Sequence, residues 1–282
     1  MQDEVKQWGI GPMKIGFIGG GNMAQAILGG LMSKGQAAGD CVVVDPNAGA
    51  QGKLAATGVT ASLSIDARLL ACDVILLAVK PQSMKEAVAP LSGMLASQLI
   101  ISIAAGVRAG DLSRWMGGYQ RLVRAMPNTP ALIQAGITGL YAMPGVSSAE
   151  KATAETLMNA VGKSAWFDDE AMLDAVTAVS GSGPAYVFYF VEALEQAAME
   201  MGFNPEQARL FATETFLGGA RLAAQSADAP ATLRANVTSK RGTTERAIDH
   251  FESAALKKHF VEGVKAARAR AAELGDEMGQ NA

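Results

Sequence analysis

Three consecutive glycines, Gly19-Gly20-Gly21, stand directly behind a short aliphatic run at residues 15–18 and just ahead of a helix-like stretch at 24–32. A strand that turns at once into a helix returns to its sheet as a parallel neighbour, so this junction points to a sheet covered by helices on both faces. The alternation continues: short β-branched or aliphatic runs at 41–44, 74–79, 99–103, 122–126 and 137–141, with a last one near 164–167, are separated by helix-length segments. Residues 13–168 are therefore expected to form an α/β domain on a doubly wound, mostly parallel sheet. From Glu170 onward the strand signal gives way to segments rich in Ala, Leu, Met and Glu, and 169–282 reads as an all-helical domain.

Within that second domain, Asn204-Pro205-Glu206-Gln207 supplies a capping residue, a proline for the first helical position and a glutamine able to reach back. Pro184, after Gly181-Ser182-Gly183, opens another helix. Along 185–201, Tyr186, Val187, Phe188, Tyr189, Phe190, Val191 and Leu194 surround nearly the whole helix, too much apolar surface for one face, and burial between subunits is the simplest outcome. Apolar circumference does not count subunits, so a homodimer is expected and larger assemblies stay open.

At 282 residues with 49% hydrophobic and 18% charged residues, the chain has material for a large core in two units of ordinary size. A net charge of −3, mixed along the chain, leaves no electrostatic footprint for nucleic acid or an anionic membrane. The apolar stretches are too short or too interrupted to span a bilayer. Residues 1–12 carry Asp3, Glu4 and Lys6 without the apolar run of a secretory signal and read as a flexible extension. Cys41 and Cys72 lie in apolar strand-like runs and read as buried thiols, which fits a cytoplasmic address.

The run Gly19-Gly20-Gly21-Asn22-Met23-Ala24 has the Gly-x-Gly-x-x-Ala spacing of a Rossmann-like dinucleotide site. Gly19 would allow the tight turn, Gly21 the approach of a pyrophosphate, and Ala24 close helix–strand packing, with the helix N-terminus facing the phosphate charge. Glycines alone would serve equally well in an α/β turn that binds nothing. The strand before, the helix after and Asp45 at the end of the second strand favour cofactor binding. A carboxylate at Asp45 would hydrogen-bond an adenosine ribose and favour NADH, because a 2′-phosphate would bring like charges together. Its separation from the glycines is longer than usual, so it is also able to point away, and NADPH stays open.

Ala78-Val79-Lys80-Pro81 and Ala104-Ala105-Gly106 each end a strand on the carboxyl edge, where such sheets bind ligands. Lys80 reads equally as a cofactor contact or a solvated strand-end charge. Met126-Pro127-Asn128-Thr129-Pro130 sets two prolines around a side-chain amide, a stiff turn suited to bracing the nicotinamide region. Only two histidines occur, His250 and His259, in a polar helical stretch without recognisable partners. No His/Cys set has zinc spacing, and no Gly-x-Ser-x-Gly elbow is present. Reduction of an electrophilic carbon fits this inventory, since the cofactor supplies hydride and the protein supplies orientation.

The run Asn236-Val237-Thr238-Ser239-Lys240-Arg241-Gly242-Thr243-Thr244 resembles the pyrroline-5-carboxylate reductases. So, in the same order, do Ile18 to Met23, Ala78 to Gln82, Met126 to Pro130 and Ser180 to Tyr186, and the likeness extends from about residue 14 to the end. The resemblance implies reduction of 1-pyrroline-5-carboxylate to L-proline by NAD(P)H in a homodimer with interlaced helical domains. The residues read for the cofactor are Ile18, Gly19, Gly20, Gly21, Asn22, Met23, Asp45, Ala78, Val79, Lys80, Pro81, Ala105, Gly106 and Asn128, a set that fits the resemblance. The resemblance places Glu170, Asn236, Ser239, Gly242, Thr243 and Thr244 at the substrate, with the Thr244 hydroxyl near the imine nitrogen as the catalytic group. A Ser-x-x-Gly-Thr-Thr turn opening a helix offers N–H groups and hydroxyls to a small carboxylate, although the same residues also make an ordinary capped helix start. Glu170 by itself reads equally as a helix N-terminal charge.

Two positions depart from the family pattern. Arg241 stands where a glycine is common, which costs roughly 1 kcal/mol or more if the position needs positive φ, or adds attraction for a substrate carboxylate if it does not. Ile65 replaces an asparagine near the cofactor ribose and cannot supply its hydrogen bond. Two other readings are weighed. A hydroxy-acid dehydrogenase of similar fold wants a catalytic lysine or histidine on the first helix after the nucleotide domain, and 171–201 has neither. A non-catalytic dinucleotide-binding regulator has only Arg241 and Ile65 in its favour.

Overall fold

The computed structural model describes residues 13–47 and 56–280; the extension expected at 1–12 lies outside them. The chain opens with strand β1 (Ile15–Ile18), helix α1 (Asn22–Ser33), β2 (Cys41–Val44) and β3 (Thr60–Ser62). Short helices α2 (Ala67–Leu70) and α3 (Met84–Val88) flank β4 (Val74–Leu77). Then come β5 (Leu99–Ser102), α4 (Ala109–Trp115), β6 (Leu122–Met126), β7 (Gly136–Ala142), α5 (Ser148–Asn159) and β8 (Gly162–Trp166). The strands form one sheet in the order β3-β2-β1-β4-β5-β6-β7-β8, with only the β6/β7 pair antiparallel.

Period-2 alternation explains the double winding. Ile15 and Phe17 of β1, Val74 and Leu76 of β4, and Leu99 and Ile101 of β5 face a core closed by Ile27 and Leu31 of α1 and Leu157 of α5. Ile18, Ile75, Leu77 and Ile100 point to the other face, closed by Leu69, Met84, Val88 and Leu112. Strands buried on both faces read as unbroken aliphatic runs, which is why most were visible in the sequence. Cys41 and Cys72 are both buried free thiols; burial pushes Cys41 up to about 12 and Cys72 to about 11.

Past the sheet lie α6 (Met172–Val176), a π turn (Thr177–Gly181), α7 (Gly183–Glu200), α8 (Pro205–Gln225), α9 (Pro230–Asn236), α10 (Thr243–Ser253) and α11 (Leu256–Gln280). Two compact units result, one running through Gly181 and regaining the chain from Ala267 onward, the other Ser182–Ala266. The division differs from the expected break at 168/169 for two packing reasons. Leu173 and Val176 of α6 lie against Gly139 of β7, and the end of α11 lies on the segment after β5, with Leu274 beside Gly106. In the second unit α7 opens with a proline, and Asn204 and Gln207 cap α8 reciprocally. Tyr186 and Phe190 of α7 pack on Phe260, while Val187, Phe188 and Tyr189 remain exposed. Among the described residues no helix is long and apolar enough to cross a membrane.

Candidate active site

The strand order reverses direction at β1 and β4, and in such sheets the crevice outside the carboxyl ends of these strands takes the ligand. There the Gly19 N–H donates to the Val44 carbonyl (2.8 Å) and the Ala78 N–H to the Ile18 carbonyl (2.7 Å), tying the ends of β1, β2 and β4 together. Gly19 has φ +99°, and a Cβ on it would stand 2.6 Å from the Ala78 carbonyl oxygen, so the fold itself demands glycine. Gly21 is different: a Cβ there would meet nothing within 4 Å. Among the described residues no atom requires that glycine, so the space it leaves is available to a ligand. Gly21 is also the N-cap of α1 and brings no side chain to the helix's first N–H groups, and the first turn, from Asn22 and Met23, holds no acidic residue. Uncapped donors, a positive helix end and an open approach suit a pyrophosphate, so these residues fit a dinucleotide.

Asp45 faces the glycine loop. Its carboxylate accepts the Gly20 N–H (2.7 Å) and the Asn47 N–H (2.8 Å), a bracing role that sequence reading did not foresee. Ala78 and Val79 are half-buried at the end of β4, Lys80 is exposed, and Pro81 starts a turn of 3₁₀ helix. Ala105 and Gly106 are half-buried beyond β5, between buried Ala104 and Val107. Asn128 is buried; its Oδ1 accepts the Ile137 N–H (2.9 Å) and its Nδ2 donates to the Ser180 carbonyl (3.1 Å). Its side chain is thus committed to joining the β6 turn to β7 and the π turn, and any part it plays at a nicotinamide is through the turn it shapes.

Glu170 belongs to the first unit and the other expected substrate residues to the second. Its Oε1 accepts from Arg124 Nη1 (2.6 Å) and from the Ala109 N–H (2.6 Å). Arg124 sits in the middle of β6 with its side chain 6% exposed. Sequence reading missed it, although an arginine inside Leu122-Val123-Arg124-Ala125-Met126 was a visible signal, since buried arginines are almost always paired. Burial pushes the Asp174 carboxyl up, against the pull of Arg124 and Arg108. Burial also raises the Tyr141 phenol, with Glu170 and Asp169 adding to it.

In the second unit, Asn236 ends α9 and a turn leads to α10. The Gly242 N–H donates to the Ser239 carbonyl (3.0 Å), and Gly242 is an extended N-cap. As at α1, the cap has no side chain, so the amides opening α10 at Thr243 and Thr244 gain no partner from it. Arg241 has φ +59°, and its N–H donates to Glu245 Oε2 (2.6 Å). The positive-φ branch of the expectation holds, so the arginine occupies a left-handed position. Asn236, Ser239, Gly242, Thr243 and Thr244 therefore share one connection, with Thr244 half-buried and Thr243 exposed. His250 and His259 are exposed on helices.

Comparison with known proteins divides the chain by sequence, near residue 170. A family model described as pyrroline-5-carboxylate reductase dimerisation matches residues 170–274, and one described as NADP oxidoreductase coenzyme F420-dependent matches residues 14–106. The pyrroline-5-carboxylate reductase of Pseudomonas aeruginosa is 43% identical over 271 residues, covering 95% of this chain and 98% of that protein. A solved structure of a pyrroline-5-carboxylate reductase from Coxiella burnetii is similar with a TM-score of 0.89 at 39% identity, covering 94% of this chain and 99% of the other. That of Plasmodium falciparum pyrroline carboxylate reductase with NADP bound gives 0.84 at 27% identity, covering 95% and 100%. Likeness of this extent takes in both the glycine loop and the turn before α10, and the chain belongs to the pyrroline-5-carboxylate reductase family.

Proposed function

We infer that this chain reduces 1-pyrroline-5-carboxylate to L-proline, its first unit holding a nicotinamide dinucleotide and its second unit anchoring the imine. One observation carries the reading: among the described residues two helix starts are capped by glycine, α1 behind the open Gly21 and α10 at Thr243 and Thr244. The first suits phosphate and the second a small carboxylate. When bound, the reduced nicotinamide supplies the hydride that converts the imine carbon to an amine carbon.

The protein's own work is binding and orientation. The α1 amides and the residues from Ile18 to Met23 hold the pyrophosphate, and Ala78, Val79, Lys80, Pro81, Ala105 and Gly106 line the cofactor. The 236–244 turn holds the substrate carboxylate on backbone N–H groups and on the hydroxyls of Ser239 and Thr243. Thr244 Oγ hydrogen-bonds the ring nitrogen, which gains from solvent water the proton that balances the hydride. A threonine hydroxyl does not ionise near neutral pH, so Thr244 orients that proton rather than supplying it from its own acidity. Asp45 favours NADH over NADPH, its charge opposing a 2′-phosphate. The working form is a homodimer in the cytoplasm.

Purified protein given the cyclic imine should consume the absorbance of NADH and NADPH. Thr244→Ala should lower turnover by about a hundredfold, within the range for loss of a positioned polar group in proton transfer, while cofactor affinity stays within about twofold. Dinucleotide binding without turnover in the unmodified protein would overturn the activity; parallel loss of both quantities in the variant would remove Thr244 from the imine.

A further inference from the structure

Arg124 and Glu170 form an ion pair that stability alone does not account for. A guanidinium in the middle strands of a sheet pays a desolvation cost that well-packed hydrophobic residues avoid, so such a pair is weak support for the fold. What it does fix is the position of one carboxylate oxygen. Glu170 Oε1 takes both Arg124 Nη1 and the Ala109 N–H, each at 2.6 Å. Ala109 is the first residue of α4, whose own N-cap, Arg108, makes no side-chain capping bond. The helix start is thus capped from 61 residues away in sequence.

Upstream of Ala109 runs the loop at 103–108, which carries Ala105 and Gly106. The loop is tied at its near end by the Ile103 N–H to the Leu77 carbonyl (3.1 Å). Val107 is fully buried, and Gly106, at φ +72°, lies against Leu274, 3.5 Å from where its Cβ would be. Glu170 holds the far end. We propose that Glu170, itself fixed by Arg124, is a positioning residue for the dinucleotide: by clamping the Ala109 N–H it sets the height of Ala105 and Gly106 at the carboxyl edge. The inference rests on the cofactor assignment of the first unit, and it moves Glu170 from the substrate to the cofactor side of the reaction.

The test is dinucleotide binding in the absence of substrate, read by nicotinamide fluorescence with NADH and with NADPH, together with the imine KM at saturating cofactor. Glu170→Ala should raise the cofactor Kd about tenfold, the weight of one charge-assisted hydrogen bond. Glu170→Gln should recover it to within about threefold of the unmodified protein, because an amide oxygen still accepts the Ala109 N–H. The imine KM should not move in either. Should Glu170→Ala fail to fold around an unpaired Arg124, the double variant Arg124→Met with Glu170→Met frees the same N–H without a stranded charge, and should show the same rise in Kd. Unchanged cofactor Kd in a folded Glu170→Ala or double variant overturns the proposal, as does a raised imine KM at unchanged cofactor Kd. If the unmodified protein binds neither dinucleotide, the cofactor assignment falls and this inference with it; binding that all variants share sinks the inference alone.

Discussion

Arg241 is one of three non-glycine residues with positive φ among the described residues, beside Gln134 and Ala255. At φ +59° its Cβ crowds the following carbonyl, a cost of roughly 1–2 kcal/mol that glycine escapes. Glycine also surrenders more freedom on folding, so Arg241→Gly should raise stability by only about 0.5–1 kcal/mol. The backbone N–H to Glu245 survives the change. Thermal unfolding checks this, and a lower midpoint would mean that the arginine side chain itself holds the turn. Asp45 poses a sharper question, because its carboxylate both braces Gly20 and sets the charge beside the expected ribose site. Asp45→Asn keeps a carbonyl oxygen for one N–H and removes the charge. The ratio of NADPH to NADH affinity should then rise by about tenfold. Kd values for both dinucleotides check it; equal weakening of the two would leave Asp45 with bracing alone.

At the scale of elements, the cap of α8 offers a clean measurement. Asn204 accepts the Gln207 N–H at 2.9 Å while the Gln207 side chain accepts the Asn204 N–H at 3.2 Å, and the site is exposed. Asn204→Ala should therefore cost about 1 kcal/mol of stability without touching activity, as seen in denaturant midpoints. This box was legible because its chemistry lies within four consecutive residues, and β1, β2 and β6 were legible because both of their faces are buried. Ends were less so. The run at 74–79 leaves the ladder after Leu77, since Ala78 and Val79 turn into the crevice over Gly19. β3 was not foreseen: Thr60-Ala61-Ser62 has little apolar weight and becomes a strand only by pairing with β2. The Arg124–Glu170 pair and the return of α11 to the first unit depend on partners 46 and more than 150 residues apart, which no local pattern encodes. The turn at 236–244 was readable as a motif, but the bond from Arg241 to Glu245 needed the fold.

For the molecule as a whole, the apolar surface left open on the second unit decides what form exists in solution. Phe188 and Tyr189 are each 68% exposed, Phe211 58% and Leu210 57%, on two successive helices. Large apolar side chains left open in this number suit an interaction surface, and the region matched by the dimerisation family model contains all four. A C₂ interface would bury the same residues from both copies, so one substitution acts twice. Phe188→Glu with Tyr189→Glu would place four carboxylates in that interface, each without a partner to repay its desolvation. Sedimentation should show the unmodified chain as a dimer at micromolar concentration and the double variant as a monomer with a lower melting temperature, while the unmodified chain alone melts higher as concentration rises. A variant that sediments like the parent would mean that this face is covered in some other way, and a parent that is monomeric would separate the activity from assembly altogether.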